Sequence, residues 1–150
     1  MEIRNIDRKN YRACLELRLR PGQEHFVADN AHSLAEAAYE EGLFPRAVYE
    51  GETMVGFVLY DYDPEIPGWS MSRFMIGAQF QGRGLGRRAA EAFLSYFQKT
   101  VGADAIHTSV SLDNAVARAL YCSLGFVERG PVSYVYGGRR YHEMRMVKTF

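Results

Sequence analysis

The most constraining feature of this sequence is a glycine-rich hexapeptide, Gln81 to Gly86, with glycine at positions 82, 84 and 86. The apolar and aromatic stretch before it, Trp69 to Ile76, has strand character. The stretch after it, Leu85 to Val101, carries an apolar residue at every fourth position and predicts an amphipathic helix. The chain must therefore form a strand, a tight turn and a helix in direct succession.

Such a turn directs several backbone amides toward one point, and glycine leaves the approach to them open. The helix dipole adds about half a positive charge there, which favours phosphate. Arg87 and Arg88 lie in the first helical turn, where a cation costs about 0.3 to 1 kcal/mol unless an anion is bound. A simple tight turn with two solvated arginines is the alternative interpretation.

The glycine spacing excludes two nucleotide motifs. No Lys-Ser or Lys-Thr pair follows the turn, as a P-loop requires. The spacing Gly82-x-Gly84-x-Gly86 also differs from the Gly-x-Gly-x-x-Gly of dinucleotide-binding folds, and it occurs late in the chain. We therefore expect a phosphate-containing ligand that binds through neither the P-loop nor the dinucleotide-binding motif.

The composition of the chain limits the classes of function that it can have. The 150 residues predict one domain, 1–150. Eighteen bases balance 18 acids, so no uniform basic field exists to hold a nucleic acid. No signal-peptide pattern or membrane-length apolar run occurs, which favours a cytoplasmic protein without membrane contact. Cys14 and Cys122 are not spaced as metal ligands, so no metal is expected, and we predict that both are buried thiols.

Apolar periodicity predicts the other elements of an α/β domain with a mixed sheet. In the first half we expect a strand at 3–6, a helix from Asp7 ended by Pro21, a helix over 34–41, a hairpin over 44–49 and 54–60, and a loop over 61–68. Ser33 is expected to cap the second of these helices, with Glu36 as its capping-box partner. In the second half we expect a strand over 106–111, a helix from the cap Asn114 to Gly125, and a hairpin over 132–136 and 139–147.

Two motifs together resemble the GNAT superfamily of acyl-CoA-dependent N-acetyltransferases. Gln81, Gly84 and Gly86 match its pyrophosphate motif, and the segment from Asn114 to Phe126, with Ala117, Leu120, Tyr121 and Gly125, matches a second element. The resemblance implies a mostly antiparallel, twisted mixed sheet flanked by about four helices, acetyl-CoA as co-substrate, and often a homodimer.

The resemblance also implies a cofactor site, with the pyrophosphate on the amides of residues 82 to 87 and pantetheine along the strand. The implied cofactor-binding residues are Phe74, Met75, Ile76, Gln81, Gly82, Arg83, Gly84, Leu85, Gly86, Arg87, Asn114, Ala117 and Tyr121. A backbone amide of the strand would hold the thioester oxygen. Asn114 is either a pantetheine contact or purely a helix cap.

Proton transfer needs an acid and a base. The family position makes Tyr121 the expected acid for the departing thiolate, although its helical spacing also suits a core tyrosine. An alkylammonium must lose its proton before it attacks. Glu65 is the leading candidate for the base, with Asp61 and Asp63 beside it, and a solvated turn is the alternative; His142 and His107 are weaker candidates.

The charge distribution favours a cationic substrate, unless these charges lie on unrelated solvated faces. Residues 29–65 hold nine acids and one base, whereas residues 66–150 hold eleven bases and five acids. Segments at 23–37, 45–49, 55–60 and 73–76 resemble the bacterial diamine and polyamine acetyltransferase branch, although Ser72 stands where its members often have an acid. The candidate substrate-binding residues are Glu24, Glu36, Glu40, Tyr39, Asp61 and Tyr62.

The sequence therefore predicts acetyl transfer from acetyl-CoA to a primary amine of a polyamine such as spermidine or spermine, by direct attack. The same chemistry on another small-molecule amine or a protein N-terminus is the first alternative. A non-catalytic acyl-CoA-binding module is the second, and the presence of Tyr121 argues against it.

Overall fold

A computed structural model describes residues 1–150 and contains one seven-stranded sheet in the order β1-β2-β3-β4-β5-β7-β6. All neighbouring strands are antiparallel except β4 and β5, which are parallel. The mixed, mostly antiparallel sheet predicted from the sequence is confirmed. Its strands are β1 (Glu2–Asn5), β2 (Leu43–Glu50), β3 (Thr53–Asp63), β4 (Gly68–Ile76), β5 (Ala105–Ser111), β6 (Val127–Tyr136) and β7 (Arg139–Thr149).

Four helices cover the two faces of the sheet: α1 (Tyr11–Glu16), α2 (Asn30–Tyr39), α3 (Leu85–Val101) and α4 (Ala115–Ser123). Phe57 and Leu59 of β3 pack with Cys14 and Leu17 at α1. The alternate residues of β3, including Val58, point to the opposite face and pack with α3 and α4. None of the helices is both long enough and apolar enough to cross a membrane.

The parallel strands β4 and β5 diverge. Their only register pair is Ser70 with His107, and the Thr108 hydroxyl donates to the Met71 carbonyl at 2.9 Å just beyond it. Between Ser72 and Ile76, β4 has no partner on its β5 side. Backbone groups of β4 therefore face a gap in the middle of the sheet.

Residues around the glycine-rich turn fold as the pattern predicts. Helix α3 begins at Leu85 and ends at Val101, as predicted, and β4 begins one residue before the predicted Trp69. One turn of 3-10 helix, Ala78–Phe80, connects β4 to the turn. The apolar stripe of α3 supplies the buried residues Leu85, Ala89, Phe93 and Phe97.

The predicted start of the second helix is wrong. Helix α2 begins at Asn30, and its cap is Asp29, whose carboxylate accepts the amide of His32 at 2.7 Å. Ser33 is buried inside the helix and donates its hydroxyl to the Asp29 carbonyl at 2.9 Å. Both residue types cap helices, and the carboxylate adds a favourable charge at the positive helix end. Glu36 is accordingly not a capping-box partner.

Other predicted boundaries also need correction. The segment 61–68 is not one loop, because β3 continues to Asp63 and pairs with β4 from Gly68, which leaves only 64–67 as a turn. Both prolines of this segment lie outside the ladder, so they do not interrupt it. Helix α1 ends at Glu16 instead of Pro21, and β6 begins at Val127, before the predicted residue 132.

The observed cap predicts a measurable effect on stability. Asp29→Ala should lower the free energy of unfolding by about 0.5 to 2 kcal/mol, because the amide of His32 loses its acceptor. Glu40→Ala, at the other end of α2, should change it by less than about 0.5 kcal/mol. Chemical denaturation of the three proteins measures both effects. Equal stability of Asp29→Ala and the unchanged protein would contradict the observed helix start.

Candidate active site

The N-terminus of α3 presents a row of unpaired backbone amides. None of the N–H groups from Gly82 to Arg87 donates to an acceptor in the protein, and the first helical bond is Arg88 N–H to the Gly84 carbonyl at 3.4 Å. No side chain caps the helix. We call residues 82–87 the amide cradle. Free amides at a positive helix end are the arrangement that binds phosphate.

Glycine is required in the cradle for conformational reasons. Gly82 has φ +76° and Gly84 has φ +72°, in the left-handed region where a side chain costs about 1 to 2 kcal/mol. A Cβ at Gly84 would meet no atom within 4 Å, so the space in front of these amides is open. The cradle can therefore receive a ligand from solvent without rearrangement.

The arginines around the cradle differ in their partners. Arg83 makes no ion pair, whereas Arg87 contacts Glu91 at 3.1 Å and Ser123 at 2.6 Å. Arg88 is held by Glu50 at 2.8 Å. Of the two arginines in the predicted cofactor set, Arg83 is therefore free of ion pairs, whereas Arg87, like Arg88, is paired with a glutamate.

Gln81 fixes the position of the cradle. Its side-chain amide donates to the Ile76 carbonyl at 2.9 Å and to Gln23 Oε1 at 3.0 Å. These two bonds tie the end of β4 to the connection between α1 and α2. The side-chain nitrogen of Gln81 is thus occupied within the protein, which gives this predicted cofactor residue a positioning role.

Tyr121 of α4 lies on the side of β4 that carries Phe74. The two ring centroids are 6.5 Å apart, and the ring of Phe126 also packs against Tyr121, at 5.4 Å. Although the side chain is 5% exposed, its hydroxyl makes no hydrogen bond and is not among the fully enclosed polar atoms. Burial raises the pKa of Tyr121 above its usual value near 10. The site therefore holds a protonated phenol with a free donor.

Asn114 caps α4, as predicted. Its side-chain oxygen accepts the amide of Ala117 at 3.1 Å, while its side-chain nitrogen has no partner in the protein. The cap uses only one end of the amide group. The nitrogen stays available as a donor, so the two roles considered for Asn114 are compatible.

A cavity of about 710 Å³ lies on the other face of β4. It is enclosed by the connection between α1 and α2, the start of α2, and the turn between β6 and β7, and it reaches β4 at Met75. Asn30 stabilises this corner, because its buried amide donates to the Cys14 carbonyl at 2.9 Å and lies 3.8 Å from the Met75 sulfur. We call this space the acceptor cavity.

A polar network forms one wall of the acceptor cavity. Tyr136 donates to Glu36 Oε1 at 2.7 Å, and Arg73 Nη2 donates to the Tyr136 hydroxyl at 3.1 Å. Arg73 Nη2 also lies 2.5 Å from Glu36 Oε2. Burial opposes the charge on Glu36, but the bonds from Tyr136 and Arg73 outweigh it and hold the pKa of Glu36 below its usual value. The network thus contains an ionised carboxylate.

The residues predicted to bind the substrate do not lie together in one site. Only Glu24 lines the acceptor cavity, and Glu36 reaches it through Tyr136. Asp61 accepts a hydrogen bond from Ser72, and burial raises its pKa. The remaining predicted residues lie outside the cavity: Tyr39 is 90% exposed, Glu40 ends α2, and Tyr62 packs on Trp69.

Glu65, the predicted base, also lies outside the cavity. It occupies the exposed turn before β4, where its amide donates to Asp63. At about 3.3 Å per residue along β4, this turn is roughly 20 Å from Met75. Sequence reasoning missed His32, Tyr136, Arg18 and Arg139, which do line the cavity. Placing the helix cap at Asp29 would have put His32 on α2, one turn before Glu36.

The acidic excess of residues 29–65 is partly neutralised by bases from elsewhere. Arg73 pairs with Glu36, Arg88 with Glu50, and Arg4 with Glu52. In the acceptor cavity the formal charges balance, because the lining includes two acids and two bases: Glu24, Asp29, Arg18 and Arg139. No group of three or more His, Cys, Asp or Glu side chains is placed to hold a metal ion.

Comparison with known proteins identifies this arrangement. The sequence model of the acetyltransferase (GNAT) family matches residues 2–126. The chain belongs to the GNAT acetyltransferase family. The spermine/spermidine N(1)-acetyltransferase of Bacillus subtilis (strain 168) is 25% identical over 141 residues, which are 89% of this chain and 92% of that protein.

Solved structures share the fold. A chimera of the spermidine N-acetyltransferase SpeG from Vibrio cholerae and hSSAT has a TM-score of 0.74 at 21% identity, covering 99% of this chain and 96% of that one. RimL, a ribosomal alpha-N-protein acetyltransferase in complex with coenzyme A, has a TM-score of 0.75 at 11% identity, covering 98% and 92%. The chain is thus an acyltransferase of a family that uses acetyl-CoA.

The cradle predicts how CoA binding responds to mutation. Gly84→Val should raise the Kd for CoA at least tenfold, about 1.4 kcal/mol, because a branched side chain strains φ and occupies the approach to the amides. Gly42→Val is the matched control, since Gly42 has φ +79° with open space around it but lies far along the chain from the cradle. Calorimetric titration of both folded variants measures the effect. Equal Kd values would contradict the cradle.

Proposed function

We propose that this chain transfers the acetyl group of acetyl-CoA to a primary amine of a polyamine such as spermidine or spermine, by direct attack of the amine. One observation carries the proposal: the gap between β4 and β5 adjoins the amide cradle, and the acceptor cavity reaches the same strand at Met75. Two ligands could therefore meet at β4 from different sides.

The chain's residues fit acetyl-CoA. The free amides of the cradle suit its pyrophosphate, and the stretch of β4 at Phe74, Met75 and Ile76, which has no partner strand on its β5 side, suits its amide-containing arm. Asn114 has a free side-chain nitrogen on the α4 side of the gap. Acetyl-CoA supplies an acetyl group activated as a thioester. A backbone amide of β4 would donate to the thioester oxygen and stabilise the charge that develops on it.

Tyr121 supplies the acid in this proposal. Its hydroxyl is protonated and free of protein partners, so it can donate to the departing sulfur without breaking an existing bond. Burial of the ring against Phe74 and Phe126 restricts its orientation.

Removing this hydroxyl tests the role of Tyr121. Tyr121→Phe should lower kcat by about 10² to 10⁴ while the Kd for CoA stays within about twofold, because one general acid is lost and the ring still packs. Tyr11→Phe, on helix α1, is the matched control and should keep kcat. Steady-state kinetics and CoA titration give both quantities. A normal kcat for Tyr121→Phe would exclude the hydroxyl from the reaction.

The names of the relatives support a polyamine as acceptor, since two Bacillus subtilis proteins at 25% identity are named spermine or spermidine acetyltransferases. Glu24 and Asp29 in the cavity could each pair with an ammonium group. The cavity volume of about 710 Å³ lies in the range of small-molecule sites.

The cavity also favours a second candidate. Arg18 and Arg139 line it, and neither makes an ion pair with a protein carboxylate. Two free guanidinium groups would repel a polyamine and attract an anion. An amine that also carries a carboxylate, such as an amino acid or a peptide, would suit them.

Variants at the cavity distinguish the two acceptors. For a polyamine, Glu24→Gln should raise KM severalfold and Arg139→Gln should lower it, because each change alters the charge that faces the ammonium groups. For an amino acid or peptide, Arg139→Gln should raise KM instead. Acetyl-CoA consumption measured over spermidine, spermine, amino acids and short peptides provides the comparison. Absence of turnover with every amine would contradict the proposed function.

A cytoplasmic location and a homodimer, both expected at the level of the sequence, stay predictions.

A further inference from the structure

Three side chains form a hydrogen-bonded chain that ends in the acceptor cavity. Glu36 Oε1 accepts the Tyr136 hydroxyl at 2.7 Å, and the same hydroxyl oxygen lies 2.9 Å from His32 Nε2. Arg73 Nη2 donates to that oxygen at 3.1 Å. His32 and Tyr136 line the cavity, whereas Glu36 and Arg73 lie behind them. The imidazole of His32 is thus the outermost member of the chain.

Counting protons determines which nitrogen of His32 is free. The hydroxyl of Tyr136 has one proton, and it goes to Glu36 because an ionised carboxylate can only accept. The guanidinium of Arg73 can only donate, so it occupies one lone pair of the hydroxyl oxygen. The contact with His32 must then be a bond donated by Nε2–H. In the neutral ring the free lone pair is therefore on Nδ1.

The surroundings of His32 suit a proton acceptor. Its side chain is 51% exposed within the cavity wall, and Nδ1 has no hydrogen-bond partner in the protein. Glu36 Oε2 lies 4.0 Å from Nε2, which stabilises the ring once it is charged. Arg73 of β4 lies behind Tyr136. The other charged and titratable groups that line the cavity with His32 are Arg18, Glu24, Asp29 at the cap of α2, Tyr136 of β6, and Arg139 and Tyr141 of β7.

We propose that His32 is the catalytic base, and that its Nδ1 removes the proton from the acceptor ammonium. This inference rests on the proposed acetyl transfer to an amine. A bond forms between the amine nitrogen and the acetyl carbon while the carbon–sulfur bond breaks. The ammonium proton goes to His32 Nδ1 before the attack, the sulfur takes the proton of Tyr121, and the second proton that the nitrogen loses as the amide forms passes to solvent. Exchange with solvent then returns His32 to its neutral form and Tyr121 to its phenol.

Position favours His32 over the base predicted from the sequence. His32 shares the cavity with Met75 of β4, whereas Glu65 lies in the exposed turn at the other end of that strand. A base must come within hydrogen-bond reach of the proton it removes, directly or through one water. Glu65 is roughly 20 Å along the strand from Met75, which is too far.

Kinetics test the proposal. His32→Gln keeps an N–H donor for Tyr136 but has no group that titrates. At saturating amine, the unchanged protein should lose kcat as the pH is lowered, because a protonated imidazole cannot accept the ammonium proton. His32→Gln should lower kcat near neutral pH by about 10² to 10⁴ and abolish that loss, with the Kd for CoA unchanged. His25→Gln, whose imidazole faces Asp113 at 3.0 Å, should keep the pH profile.

A second substrate separates base catalysis from a structural effect. An alkylamine with three fluorines on the carbon β to its nitrogen is largely unprotonated at neutral pH, so it needs less help in losing a proton. The penalty of His32→Gln should be at least tenfold smaller for this amine than for its unfluorinated parent. An equal penalty for both amines, or a pH profile abolished by Glu65→Gln and kept by His32→Gln, would overturn the proposal.

The tautomer can be measured without catalysis. Nitrogen-15 NMR of the imidazole should show the proton of neutral His32 on Nε2, and a proton on Nδ1 would overturn the proposal. Because this measurement needs no amine, a failure of the proposed acetyl transfer and a failure of His32 as base give different results.

Discussion

The divergence of β4 from β5 is the constraint on which the rest of the site depends. Parallel neighbours ordinarily share a continuous ladder, but here one register pair and one side-chain bond to Met71 hold the strands together. The backbone of Ser72 to Met75 then has unmet hydrogen-bonding capacity on one edge, although it lies between packed helices. Buried backbone groups need partners, so this edge is suited to a ligand that carries amides of its own.

The two faces of β4 divide the chemistry between them. Alternation along the strand sends Phe74 toward α4 and Tyr121, and sends Arg73 and Met75 toward α2 and the acceptor cavity. An acid is thus kept protonated by burial on one face, and a carboxylate is kept ionised by Arg73 and Tyr136 on the other. In the proposed reaction, the proton donor Tyr121 and the proton acceptor His32 lie on opposite faces of the strand that would hold the thioester.

Sequence reasoning succeeded where the signal is local. The turn at Gly82 to Gly86 and helix α3 were predictable because glycine conformation, helix periodicity and strand propensity agree over neighbouring residues. It failed at the acceptor cavity, whose walls come from four distant segments. His32 was missed because both Asp29 and Ser33 are good caps, and choosing Ser33 leaves His32 outside the helix. The excess of acids was real, but its pairing with arginines far along the chain depends on tertiary structure.

The proposed acetyl transfer requires that coenzyme A binds to the free amides at residues 82 to 87 and extends along β4. Amide NMR during a titration with coenzyme A tests this residue by residue, and the glycines of the cradle give well-separated signals. The account predicts large shifts for Gly82, Gly84 and Gly86 together with Phe74 to Ile76, saturating with one equivalent. Binding that leaves these amides unshifted, and moves signals elsewhere in the protein, would contradict it.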